Sequence, residues 1–168
     1  MRNFEKISLK KFKEETNLKE DSYEKIILPK RSTHNSAGYD FSLIEDVRLN
    51  PNEIKKIPTG IKAKMENDEF LMIIIRSSLG TKHNLRLCNQ VGIVDSDYYD
   101  NQDNEGHSWL FIKNEGNEIV NLKQDERIVQ GIFLKYLKTE NDETKETRKG
   151  GFGSTNSQKG EWIWKNFI

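Results

Sequence analysis

Carboxylates, phenols and amides crowd into one stretch, Asn89-Gln90-Val91-Gly92-Ile93-Val94-Asp95-Ser96-Asp97-Tyr98-Tyr99. Val91, Ile93 and Val94 are β-branched and suit a buried strand, and Gly92 lets a backbone or a flat ligand approach closely. Asp95 follows directly on the apolar residues, where desolvation suits a carboxylate to act as a general base. The same stretch also reads as a strand that ends in an acidic turn. Arg76-Ser77-Ser78-Leu79-Gly80 follows the apolar run 70–75. A forked guanidinium and paired hydroxyls beside free amides make an anion site, although Ser78 equally suits the start of a short helix. Asp40 adds a carboxylate after the turn Ser36-Ala37-Gly38, and Gln130 is a polar residue inside an apolar run that needs a partner or faces a ligand. In Gly150-Gly151-Phe152-Gly153-Ser154-Thr155 a lone ring sits among glycines and hydroxyls, which suits a clamp that stacks and donates to phosphate, or else a flexible linker.

The elements that must hold these groups read as short strands. They are residues 23–28, 47–49, 54–57, 61–65, 70–75, 85–88, 107–113, 118–122 and 128–137, separated by turn signals such as Asn50-Pro51-Asn52 and Pro58-Thr59-Gly60. Such spacing predicts an all-β sandwich, jelly roll or barrel. Residues 1–22 form a charged N-terminal appendage in which Ser8 caps a short helix through Glu15, residues 23–138 form the β domain, and residues 139–168 form a C-terminal arm too polar at first to bury a core.

With 168 residues, 27 basic against 27 acidic, and 34% hydrophobic content, the chain predicts one domain with a thin core that gains from association. The balanced charge argues against direct nucleic-acid binding. Cys88 is the one cysteine and is read as a buried strand residue; with no apolar run of spanning length, a cytoplasmic protein without a membrane partner is expected. His34, His83 and His107 lack metal-ligand spacing and are read as structural or solvated.

Five stretches in order, Ala37-Gly38-Tyr39-Asp40-Phe41, Arg76 to Gly80, Gly92 to Tyr98, Glu126-Arg127-Ile128-Val129-Gln130 and Gly150 to Thr155, resemble the five motifs of the trimeric deoxyuridine triphosphatase (dUTPase) family. The resemblance implies a distorted jelly-roll-like β barrel, a homotrimer with the C-terminal arm exchanged between subunits, and hydrolysis of dUTP to dUMP and pyrophosphate, which limits uracil in DNA and supplies dUMP. It implies that Asp95 orients and deprotonates the water that attacks the α-phosphorus. Asn89 and the backbone of Gly92, Ile93 and Val94 would bind uracil, Tyr98 would stack on the deoxyribose, and Trp109 would belong to the sugar-side strand. Arg76, Ser77 and Ser78 would hold the α- and β-phosphates and Gln130 would support the phosphate path, while Phe152 would stack on the base and Arg148, Gly153, Ser154 and Thr155 would grip the γ-phosphate. Asp40 would bond waters of a Mg²⁺ carried by the triphosphate, not the metal itself. The alternatives weighed are a dCTP deaminase-like activity and a regulatory protein-binding role on the same scaffold. The chain departs from the family in the longer hairpin tip after Tyr98, in Arg148 standing four positions before Phe152, and in Asn156 where a closing glycine is usual.

Overall fold

A computed structural model describes residues 1–146, 148 and 150. Of the site residues expected from sequence, Phe152, Gly153, Ser154 and Thr155 lie outside the described residues. The elements run β1 (Asn3–Lys6), α1 (Leu9–Glu15), α2 (Glu20–Glu24), β2 (Lys30–Arg31), β3 (Tyr39–Ser42), β4 (Val47–Leu49), β5 (Ile54–Pro58), β6 (Ile61–Lys64) and β7 (Glu69–Ile75). They continue with α3 (Ser77–His83), β8 (Leu85–Leu87), β9 (Gly92–Asp95), a 3₁₀ turn (Ser96–Tyr98), β10 (Trp109–Asn114), β11 (Val120–Leu122) and β12 (Arg127–Lys135).

All strand pairs are antiparallel, in sheets ordered β2-β3-β12-β7-β9, β5-β10-β8, β1-β6 and β4-β11. Small antiparallel sheets closing around one core give a mostly β, jelly-roll-like fold. The alternation along β7, with Leu71 and Ile73 buried between less buried neighbours, aims one face of the large sheet at the core and leaves the other free. Gly131 lies where β12 passes between Leu71 and Phe41: a Cβ there would stand 2.9 Å from a side-chain carbon of each, so the close approach requires glycine.

The N-terminal segment is part of this core. Phe4 of β1 packs edge-on against Phe41 at 5.5 Å, and Ile7 and Phe12 are completely buried. Ser8 caps α1 by accepting from the Lys11 N–H at 3.1 Å. The strand expected over 23–28 is absent. Glu20 and Asp21 suit the first turn of α2, and Tyr23 is held by Phe12 at 5.4 Å and by its hydroxyl, which donates to the Ile7 carbonyl at 2.9 Å. Docking on α1 therefore overrides the β propensity of Ile26 and Ile27, and Pro29 could not have donated to a ladder. Among the described residues, no helix is long and apolar enough to cross a membrane.

Candidate active site

The turn into β9 is tight: Gln90 takes φ of 64° and its N–H bonds the Leu87 carbonyl at 2.9 Å. β9 then runs along the edge of the five-stranded sheet, with Gly92 opposite Ile73 and Asp95 opposite Phe70. Gly92 admits no side chain without crowding, since a Cβ would meet that of Ile73 at 3.3 Å. The expectation of a buried strand here is corrected for the single chain: Val91 is exposed, Ile93 is 56% exposed, and Gly92 and Val94 are half-buried. An edge strand has a partner on one side only, so its outer face has no neighbour within one chain.

β9 forms one wall of a cavity of about 260 Å³. Asn89, Gly92, Ile93, Val94 and Asp95 supply that wall, Tyr98 closes one end, and Ser108, Trp109 and Leu110 supply the other side. A flat apolar slot bordered by an amide, a carboxylate and a phenol suits a ring with polar edges. The Asp95 side chain is 50% exposed, so burial within one chain does not desolvate it. Its Oδ2 takes a 2.7 Å ion pair from Arg148, whose Nε lies 3.2 Å from Asp97 and whose guanidinium carbon stands 5.5 Å from the Tyr98 ring centre.

Behind the cavity, Trp109 donates its indole N–H to Glu15 of α1 at 2.9 Å, and the Lys56 ammonium sits 3.9 Å from the Trp109 ring centre. His107 is completely buried, accepts the Gly60 N–H at Nε2 (2.9 Å) and turns Nδ1 toward Glu15 at 3.6 Å. With Nε2 an acceptor, the proton of the neutral ring belongs on Nδ1. Burial pushes the imidazole below its ordinary value of 6.5, while the nearby His107 and the Trp109 indole hold the Glu15 carboxyl below the usual carboxylate range. Sequence reading missed Glu15 and this link, because nothing in a Lys/Glu-rich helix marks which carboxylate turns inward.

Arg76, Ser77, Ser78, Asp40 and Gln130 form a second group that does not line the cavity. Arg76 leaves β7, ties its N–H to the Ile128 carbonyl at 3.1 Å, and places Nε 3.1 Å from Asp40; Arg127 reaches the other Asp40 oxygen at 3.1 Å. Gln130 of β12 stands opposite Asp40 of β3, its amide laid over Gly38, where a Cβ would collide with it. Ser77 and Ser78 are exposed in the first turn of α3, so the helical reading and a free anion-facing surface coexist. The two groups occupy opposite ends of β7. Asp95 is level with Phe70, and six steps of about 3.3 Å to Arg76 separate them by roughly 20 Å along the sheet.

The family model for dUTPase matches residues 24–158. The chain belongs to the dUTPase family. The deoxyuridine 5'-triphosphate nucleotidohydrolase of Lactococcus lactis subsp. lactis is 50% identical over 132 residues, covering 77% of this chain and 88% of that protein. The structure of a dUTPase from Streptococcus mutans superposes with a TM-score of 0.67 at 38% identity, covering 82% of this chain and 98% of that one. A dUTPase of phage phi11 of S. aureus, solved with a structural Mg(II) ion, is 17% identical with a TM-score of 0.65 over 87% of this chain and 97% of that one, a likeness of fold.

Proposed function

We propose that this chain hydrolyses dUTP to dUMP and pyrophosphate in the cytoplasm, at sites shared between the subunits of a homotrimer. The observation that carries the shared site is the separation of Asp95 from Arg76 along β7: a general base must lie within hydrogen-bond reach of the attacking water, which itself stands beside the α-phosphate. Uracil enters the slot along β9, where Asn89 and the backbone of Ile93 and Val94 meet its polar edge, and Tyr98 packs on the deoxyribose. Asp95 takes the proton of the water as it attacks the α-phosphorus in line, and the pyrophosphate leaves. Arg76, Ser77, Ser78 and Gln130 of a neighbouring subunit hold the phosphates there and stabilise the charge that develops.

The exposed Ile93 on the free edge of β9, with exposed Leu134, Tyr136 and Leu137 near the start of the arm, supports an assembly that covers apolar surface. The arm passes to a neighbouring subunit, and a neighbour's Arg148, with Phe152, Gly153, Ser154 and Thr155, closes the site over the base and γ-phosphate. A single chain offers Arg148 no Asp95 but its own; in the assembly that ion pair gives way to phosphate.

Asp40 fits a Mg²⁺ carried by the triphosphate. Its side chain is 10% exposed and both oxygens bind arginines; Oδ2 also accepts from the Ser32 hydroxyl, which leaves Oδ1 a second lone pair for a metal-bound water, whereas direct ligation would break the ion pairs. The ion supplies neutralisation of phosphate charge when bound. Pyrophosphate release from dUTP, dTTP, dCTP and UTP with Mg²⁺ tests the assignment. Turnover of dUTP far above the other three is expected, and turnover of dCTP at a comparable rate would overturn it.

A further inference from the structure

The loop after Tyr98 is built as a brace. Tyr98 is buried, its hydroxyl donates to the His107 carbonyl at 3.1 Å and accepts from the Asn104 side-chain amide at 2.7 Å. Asn104 is in turn held by Asn101, whose amide donates to its Oδ1 at 2.8 Å and also to the Tyr98 carbonyl at 2.8 Å. Both asparagines are 7% exposed, and the Asn101 Oδ1 accepts the N–H groups of Asp103 and Asn104 at 3.0 and 3.1 Å. Two buried side-chain amides and the His107 carbonyl thus converge on one tyrosine, an expensive arrangement unless all are paired. The loop closes on itself through Gly106 at φ of 86°, where any Cβ would meet the Tyr98 carbonyl at 2.8 Å.

The brace is also anchored from outside. Glu105 accepts both the backbone N–H of Ser8 at 2.8 Å and its hydroxyl at 2.7 Å, so the residue that caps α1 is tied to the loop. Asp100 pairs with Lys62 of β6, and the Tyr99 hydroxyl donates to Glu5 of β1 at 2.8 Å. Residues 1–16 and 99–106 therefore form one clasp across the back of the cavity, with the Tyr98 ring as the part that faces it.

We infer that Asn104 is a positioning residue that fixes the Tyr98 ring against the sugar, and that the clasp it belongs to sets how strictly a 2′-hydroxyl is refused. The inference rests on the reading above, in which Tyr98 packs on the deoxyribose. A ring held at its hydroxyl, at its carbonyl and by its buried edge cannot swing aside for one extra oxygen, whereas a ring released at the hydroxyl gains that freedom. Asn104 touches no substrate; it acts through Tyr98.

The test is the ratio of kcat/KM for UTP to that for dUTP, in the full-length protein with Mg²⁺, for wild type, Asn104→Leu, Tyr98→Phe and the double variant. Asn104→Leu keeps the volume and removes the donor, and Tyr98→Phe removes the acceptor while keeping the ring. Each is expected to raise the UTP/dUTP ratio about tenfold, and the double variant by clearly less than the product of the two, since the Asn104–Tyr98 bond is lost in both, although Tyr98→Phe also loses the bond to His107 and Asn104→Leu those from Asn101 and Gly106. An unchanged ratio in Tyr98→Phe, or additive effects in the double variant, would overturn the inference. Should Asn104→Leu fail to fold, Asn104→Ala takes its place, because Tyr98→Phe also deletes the bond to His107. A wild type that does not prefer dUTP to UTP overturns instead the reading on which the inference stands, so the two failures are told apart.

Discussion

Protonation of His107 works against the fold. The buried ring accepts the Gly60 N–H at Nε2, so a second proton there removes that acceptor and places a charge where no water reaches. Folding lowers the affinity of His107 for protons, and the unfolded chain therefore binds more of them just below the ordinary value of 6.5. The stability owed to neutral His107 is complete above that pH and lost as pH falls through the lowered value; the depressed Glu15 carboxyl adds a loss of the same sign in the carboxylate range. Urea denaturation from about pH 8 to about pH 5 should show stability falling, and His107→Gln should be roughly 1–3 kcal/mol less stable at neutral pH but flatter across that interval. Asp40 gives a second residue-scale prediction. Asp40→Asn leaves Arg76 and Arg127 without their shared carboxylate, and KM for dUTP should rise about tenfold as Arg76 loses its fixed direction. Asp95, Tyr98 and Arg76 could be singled out as candidates from sequence because residue type and order suggest their chemistry. Asn101, Asn104 and Glu15 could not, since an Asn in a polar loop or a Glu in a charged helix shows its orientation only once the chain is folded.

At the scale of elements, the strands from β4 to β12 could be read in order because turn residues punctuate them and β-branched residues fill them. Four elements escaped, β2 and β3 among them. β1 has only four residues with charged neighbours, and its place beside β6 depends on Phe4 finding Phe41, Tyr39 and Phe133. α2 stands where a strand was expected, because the ring of Tyr23 has a better partner in Phe12 than a ladder would offer. The crossing of β12 between β3 and β7 yields a prediction. Gly131→Ala forces Leu71 and Phe41 to move by several tenths of an ångström, which should cost about 1–3 kcal/mol and lower Tm by about 2–4 °C per kcal/mol in a thermal melt.

Over the whole molecule, the arrangement of the groups matters more than their identities. One sheet carries the β9 edge proposed to bind the base and the group around Arg76 proposed to bind the phosphates, and the stiffness of β7 keeps them roughly 20 Å apart. Sequence order could not show this, because Arg76 and Asp95 are only nineteen positions apart in the chain. The proposed trimer would resolve it by bringing the Arg76 end of one copy to the Asp95 edge of the next, and would cover the exposed Ile93. Each variant alone, Asp95→Asn or Arg76→Ala, should then lose kcat by roughly 10²–10⁴. The most direct measurement is pyrophosphate release from dUTP by trimers purified after co-expression of the two variants carrying different tags. Random mixing in a closed ring leaves one intact site in every mixed trimer, so activity should return to about a quarter of wild type per chain before enrichment of mixed trimers. Mixed trimers no more active than the two variants separately would contradict a site built from Asp95 of one chain and Arg76 of another.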